Sequence, residues 1–306
     1  MRIIVLGAGS IGSLFGAFLA RCNEVVLIRR SYNKKYKDKP AKLRVTGLSD
    51  FSVNIPIFRS LDSIGFNPDM VLLTVKSYDT KDAVNMLKDV VDDHTIVLSL
   101  QNGLCNLEEI ANVIETGNIM GGVTTYGAYL SEPLIVEHTG VGETIIGLYQ
   151  GKKDRRLASI AKVFNDAGIN TRVTRDLKRE LWIKAVINSS INPLSAIFRC
   201  RNGYLYENPV LRGVVERVCK ESACIACAYG IRVSYQLLLK KTFKVIKDTA
   251  YNYSSMLQSL NKKEKTEIES INGVLVSIGK RFGCDTSLNT LLCSLILNME
   301  KHPKKW

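Results

Sequence analysis

Hydrophobic and polar positions alternate along this chain in two regimes. In the first half, short apolar runs at residues 2–6, 25–28, 70–75 and 95–100 are rich in β-branched and aliphatic side chains and read as buried strands. Residues 13–21 and 79–91 carry helix formers with an apolar stripe and read as helices between them. Residues 117–148 mix Gly and Thr with alternating apolar positions, as in Thr144-Ile145-Ile146-Gly147, and predict antiparallel strands that finish the sheet. From Asp176 the pattern changes to amphipathic helical segments with little strand signal. The expectation is an α/β chain of two domains, 1–172 with the sheet and 173–306 all helical.

The link between the first strand and the first helix is Gly7-Ala8-Gly9-Ser10-Ile11-Gly12, and a second strand follows within about 30 residues. A dinucleotide fingerprint needs each of these glycines: one for the tight turn, one for approach of the backbone to a pyrophosphate, one for close helix–strand packing. The helix N-terminus then offers free N–H groups to the phosphates. The sequence therefore predicts a Rossmann domain with a dinucleotide on residues 7–12. At the end of the second strand, where an acidic residue would bond a ribose hydroxyl, the chain has Arg29-Arg30. Arginine clamps a 2′-phosphate, so NADP(H) is favoured over NAD(H). The lysines that follow, Lys34, Lys35, Lys37, Lys39 and Lys42, read as a solvated loop. Lys76 and Asn102 come at the ends of the third and fourth strands, the edge where open α/β sheets bind ligands; a loop lysine and an Asn-Gly turn explain them equally well.

In the second half, Lys184, Asn188 and Asn192 are spaced i, i+4, i+8 and share one face of a strongly apolar helix, a polar stripe that points to a ligand. Pro193 disfavours helix at Asn192 and predicts a kink there. Asn208-Pro209 suits the N-cap and first position of a long helix ending at Gly230. Within it, Cys219, Cys224 and Cys227 have the spacing of three iron–sulfur ligands, but the helical pattern reads them as small buried positions, and the three histidines show no zinc spacing; no metal is expected. From spacing alone, Glu267 reads as an acid at a helix N-terminus and Ser254 or Ser255 as a helix cap.

The 306 residues include 46% hydrophobic and 23% charged, the mix of a globular protein and not of a disordered or collagen-like one. The net charge of +13 favours anionic partners without choosing among nucleic acid, membrane and phosphorylated small molecules. The basic run lacks interleaved stacking aromatics beyond Tyr32 and Tyr36, which argues against nucleic acid. No apolar run of roughly 18 residues follows the first segment, so no membrane span is expected. The first 20 residues imitate a signal peptide, but their glycines have the fingerprint as their own explanation. Eight dilute cysteines fit reduced thiols in a cytoplasmic protein.

Taken together, the glycine turn, Val75-Lys76, Gln101-Asn102-Gly103, Lys184-x3-Asn188-x3-Asn192-Pro193-Leu194, Ser254-Ser255-Met256-Leu257-Gln258, Thr266-Glu267-Ile268 and Ile271-Asn272-Gly273 resemble the ketopantoate reductase family over almost the whole chain. The resemblance implies hydride transfer from NADPH, with NADH as the lesser alternative, to the ketone of 2-dehydropantoate, a small anionic 2-oxo acid. It implies a Rossmann domain, a helical domain and an active site in the cleft between them. By matching motifs, Lys184 is the general acid and Glu267 supports it and contacts substrate or cofactor. Asn102, Lys184, Asn188, Asn192, Asn252 and Ser255 are the expected substrate ligands. Gly7, Ala8, Gly9, Ser10, Ile11, Gly12, Arg30, Lys76, Asn102, Ala128 and Glu267 are the expected cofactor ligands.

The chain departs from the family pattern in three places. Ser259 stands where Asp usually follows Ser-Ser-Met-Leu-Gln, residues 261–265 replace a loop usually carrying Arg and Pro, and Cys105 stands where Gly is frequent. Cys105 reads as a small buried side chain, with a thiol handle near the cofactor as the alternative. Because fold does not fix substrate, the competing readings are a related 2-oxo-acid reductase or D-2-hydroxyacid dehydrogenase and a non-catalytic NADPH-sensing protein. A homodimer through the helical domain is the expected assembly.

Overall fold

The computed structural model describes residues 1–29, 40–151 and 154–303. The chain packs as two units: Met1–Gln101 with Asn106–Leu177, and Asn102–Cys105 with everything from Lys178 onward. The expected division after residue 172 would cut through a strand. The short segment 102–105 packs with the helices although it lies within the first half of the sequence.

The first unit opens with β1 (Arg2–Leu6), α1 (Ser10–Leu19) and β2 (Glu24–Ile28). It continues with β3 (Ala41–Gly47), β4 (Phe51–Ile55), β5 (Ile57–Phe58), β6 (Met70–Leu73), α2 (Thr80–Asn85), β7 (Ile96–Ser99) and α3 (Asn106–Ala111). It ends with β8 (Ile119–Thr124), β9 (Gly127–Glu132), β10 (Ile135–Gly140), β11 (Thr144–Leu148), α4 (Arg155–Asp166) and β12 (Thr171–Val173). Among the described residues the main sheet has the order β12-β11-β8-β7-β6-β1-β2-β5. From β5 to β8 all neighbours are parallel; β11 is antiparallel to β8. β1, β6 and β7 are wholly or almost wholly buried, which is why they read as unbroken apolar runs. Successive strands leave β1 in opposite directions, so the switch point of this doubly wound sheet lies between β1 and β6.

Two expectations change here. β9 and β10 do not finish the main sheet; they join β3 and β4 in a separate sheet of order β4-β3-β10-β9, packed on α1. Half-buried alternation announces strands but not their partners, and α1 offers an apolar surface that β9 and β10 cover. The helix expected over 79–91 is regular only over Thr80–Asn85, with turns beyond it.

The second unit contains α5 (Leu177–Ile197) from its second residue on, α6 (Tyr204–Glu207), α7 (Pro209–Ala228), α8 (Tyr235–Asp248), α9 (Ser255–Asn261), a π turn (Glu269–Gly273), α10 (Val274–Arg281) and α11 (Ser287–Lys301). Asn208 caps α7 through its side chain, which accepts from the N–H groups of Val210 and Leu211, and Pro209 begins the helix as expected. The expectation that Pro193 disfavours helix at Asn192 is corrected: α5 includes both residues and runs on as helix to Ile197. Burial of Leu194 and Ala196 against neighbouring helices holds that last turn in place. The reading of three buried cysteines is also corrected. Cys219 is buried, whereas Cys224 and Cys227 are exposed, because α7 turns only one face to the core. Among the described residues no three His, Cys, Asp or Glu side chains group as metal ligands, and no helix is long and apolar enough to cross a membrane.

Candidate active site

In the first unit the glycine turn is set by backbone contacts. Gly7 has φ +109° and lies against the backbone of Thr74 and Val75, so any Cβ there would overlap the Val75 nitrogen. Its N–H and that of Ala8 both donate to the Ile28 carbonyl, pinning the turn to the end of β2. Gly12 is buried against the Gly7 carbonyl, and Thr74 Oγ1 donates to that same carbonyl at 2.8 Å. Gly9 is exposed with open space where its Cβ would stand. No side chain caps α1 and its first turn holds no acid, so the N-terminal field is left for an anion. The residues present fit the pyrophosphate of a dinucleotide: a bare helix N-terminus, a glycine that leaves room, and the switch point alongside.

The other expected cofactor ligands are placed as follows. Ser10 Oγ accepts from the Leu130 N–H at 3.1 Å, and Ile11 packs on the core. Lys76 is partly exposed just after β6. Ala128 lies on β9 opposite His138, in the smaller sheet. Arg30 lies outside the described residues; Arg29 closes the strand edge by donating its N–H to the Phe58 carbonyl.

In the second unit the sequence-distant residues of the resemblance converge. Lys184 and Asn188 are partly exposed on α5, and Asn192 is buried one turn on. Asn102 Nδ2 donates to Glu267 Oε2 at 3.1 Å, and Asn188 Nδ2 reaches Asn102 Oδ1 at a long 3.4 Å. Glu267 is buried immediately ahead of the π turn, and its carbonyl accepts the Ile271 N–H. Its neighbours hold it there. Thr266 Oγ1 accepts from the Ile268 N–H, Glu300 Oε1 accepts from the Thr266 N–H, and Ile268 is wholly buried. Part of Lys184 reaches solvent, yet its ammonium is crowded by protein. Desolvation brings its pKa from 10.5 down to about 8, against the upward pull of the Glu267 charge.

The remaining candidates are joined through backbone. The Asn192 carbonyl accepts from Ser195 Oγ at 3.1 Å and Ser254 Oγ at 3.4 Å, and Ser254 caps α9. Ser255 is exposed as the first residue of that helix. Asn252 is partly exposed, and its carbonyl accepts the Asn202 N–H. Sequence reasoning passed over Asn202. It is buried, donates to Thr249 Oγ1 at 2.9 Å, and leaves its Oδ1 without a hydrogen-bond partner. Only its place before Gly203 marked it, and that reads as a turn. Cys105 is exposed, not the small buried side chain expected, because it stands in the turn leading to α3.

A Rossmann-like unit carrying a phosphate-ready glycine turn, followed by a helical unit carrying a desolvated lysine beside a buried glutamate, defines a two-part α/β dinucleotide-fold oxidoreductase. The profile of "Ketopantoate reductase PanE/ApbA" matches residues 3–151, and that of "Ketopantoate reductase PanE/ApbA C terminal" matches residues 176–300. The chain belongs to the ketopantoate reductase PanE/ApbA family. It is 40% identical over 299 residues to the 2-dehydropantoate 2-reductase of Pyrococcus horikoshii, covering 97% of this chain and 96% of that one. To the 2-dehydropantoate 2-reductase of Archaeoglobus fulgidus it is 34% identical, covering 98% of each. Its structure is similar to that of 2-dehydropantoate 2-reductase from Geobacter metallireducens, with TM-score 0.90 and 27% identity over 97% of this chain and 99% of that one. D-mandelate dehydrogenase with NADH and anilino(oxo)acetate superposes with TM-score 0.92 over 99% of each chain; at 24% identity this shows the fold alone.

Proposed function

We propose that this chain reduces the ketone of 2-dehydropantoate to pantoate with NADPH, a step of pantothenate and coenzyme A biosynthesis. One observation carries the reading: Lys184 is poised at a pKa of about 8 beside Glu267, which Asn102 links to Asn188 on the lysine's own helix face. When bound, the reduced nicotinamide supplies a hydride to the ketone carbon. Negative charge then grows on the ketone oxygen, where the Lys184 ammonium stabilises it and delivers a proton from Nζ. An acid with pKa near 8 is mostly protonated at neutral pH yet gives up its proton readily. The Glu267 carboxylate keeps the ammonium charged against desolvation, and the Asn102 amide holds that carboxylate in place. Asn188, Asn192, Asn252 and Ser255 supply neutral donors for the substrate's carboxylate and hydroxyl.

On the cofactor side, the proposed ligands are residues 7–12, Lys76, Asn102, Ala128, Glu267 and Arg30, with Arg30 selecting the 2′-phosphate of NADPH over NADH. The proposed substrate is a small 2-oxo acid and the proposed setting the cytoplasm, which the eight free cysteines support. A homodimer is the proposed assembly. Exposed apolar side chains of the helical unit, such as Val210, Phe282 and Leu291, support it, and analytical ultracentrifugation tests it. The functional test is a panel of 2-oxo acids assayed with NADPH and with NADH. Turnover of 2-dehydropantoate with NADPH well ahead of the others supports the reading. Turnover only with another oxo acid moves the substrate, and tight NADPH binding with no turnover makes the chain a sensor.

A further inference from the structure

Pro193 has no N–H, so α5 leaves the carbonyl of Ser189, four residues earlier, without its helical donor. Ser189 is fully buried, where water cannot replace that donor. Asn272 Nδ2 fills the gap, donating to the Ser189 carbonyl at 3.1 Å. Asn272 lies in the π turn Glu269–Gly273, is itself fully buried, and donates from the same nitrogen to Asn289 Oδ1 at 2.9 Å. Its own Oδ1 has no hydrogen-bond partner, so the amide is oriented for its donors alone.

That orientation is imposed from α7. Both carboxylate oxygens of Glu221 accept from N–H groups, those of Leu288 at 2.9 Å and Asn289 at 2.8 Å, which open α11. Glu221 Oε1 also accepts from Asn289 Nδ2 at 2.7 Å. Asn289 must therefore turn its nitrogen to Glu221 and its oxygen to Asn272. Asn272 in turn must present nitrogen, and its second N–H reaches Ser189. A parallel contact, Ser189 Oγ to Ser222 Oγ at 3.1 Å, ties the same turn of α5 to α7.

We infer that Asn272 is a positioning residue for the reaction: it stands in for the N–H that Pro193 lacks, and so holds the turn of α5 that carries Asn188, with Lys184 and Asn192 one turn to either side. This rests on the roles of Lys184 and Asn188 proposed above. It has a specific consequence. A donor supplied by the helix itself replaces the Asn272 amide at the Ser189 carbonyl, leaving only its bond to Asn289 Oδ1 unreplaced, and Pro193→Ala supplies that donor.

The test compares wild type, Asn272→Ala, Pro193→Ala and the double variant by kcat and KM for 2-dehydropantoate with NADPH, and by NMR titration of Lys184 in isotope-labelled protein. Asn272→Ala is expected to lower kcat by about 10–100-fold, the cost of a misplaced catalytic group. It should also move the Lys184 titration upward from about 8 as the loosened turn admits water. Pro193→Ala should retain most turnover, and the double variant should recover both kcat and the low titration point. If Asn272→Ala alone does not fold, recovery of folded, active protein on adding Pro193→Ala makes the same point. Equal losses with and without Pro193, or an Asn272→Ala protein indistinguishable from wild type, overturn the inference. Should wild type fail to reduce 2-dehydropantoate, the functional proposal falls, and the Lys184 titration, which needs no substrate, still decides this one.

Discussion

Lys184 should cost the fold stability, and removing its charge should return it. Its pKa falls from 10.5 to about 8 because burial penalises the ammonium more than Glu267 rewards it. A drop of that size corresponds to about 3 kcal/mol of destabilisation when the group is charged in both folded and unfolded chains. The pH dependence follows from linkage. Below about pH 8 both states bind the proton and the whole penalty is present. Between about 8 and 10.5 the unfolded chain binds more protons, so stability rises with pH, and above 10.5 the penalty is gone. Lys184→Met keeps the aliphatic stem and deletes the charge, so it should stabilise the helical unit at pH 7 by about 1–3 kcal/mol. The upper end is reached only if Glu267, still bonded to Asn102, tolerates losing its counter-charge. Urea unfolding followed through the buried Trp182, two residues before Lys184 on α5, reads this directly. The advantage should shrink between pH 8 and 10. A variant less stable than wild type at pH 7, or a difference that does not change with pH, would refute the reasoning.

Other expectations are briefer. kcat for ketone reduction should decline as pH rises through about 8, where Lys184 loses its proton, and Glu267→Gln should shift that decline to lower pH by removing the charge that raises the lysine. Gly9→Ala should fold but lose about 10-fold or more in NADPH affinity, since its Cβ fills the open approach to the turn; calorimetric titration measures this. Gly12→Ala should instead destabilise the first unit, because its Cβ overlaps the Gly7 carbonyl oxygen, and thermal unfolding separates the two cases. Asn208→Ala should cost about 1 kcal/mol through loss of two N-cap hydrogen bonds on α7, with NADPH binding unchanged.

What the sequence displayed and what it hid follow from the range of the interactions. The glycine turn and β1 are legible because strand, turn and helix are consecutive and each glycine answers a local steric demand, as at Gly7 with its φ of +109°. The stripe of Lys184, Asn188 and Asn192 is legible because helical periodicity alone places them on one face. Glu267 is not legible this way: its role depends on Asn102, 165 residues earlier, and on the charge it shares with Lys184. From spacing alone it is one more acid at a helix start, and only the resemblance singled it out. That α5 continues through Pro193 was hidden for the same reason, since the compensating donor sits 83 residues beyond Ser189. The second sheet was hidden because alternation fixes which face of a strand is buried but not which strand lies beside it.

The most direct test of the account compares wild type and Lys184→Ala in steady-state oxidation of NADPH by 2-dehydropantoate at pH 7, with NADPH binding measured on both proteins. A general acid at this position predicts a fall in kcat of about 10²–10⁴-fold, with NADPH affinity essentially retained. A Lys184→Ala protein that still turns over within a few-fold of wild type would contradict the central claim.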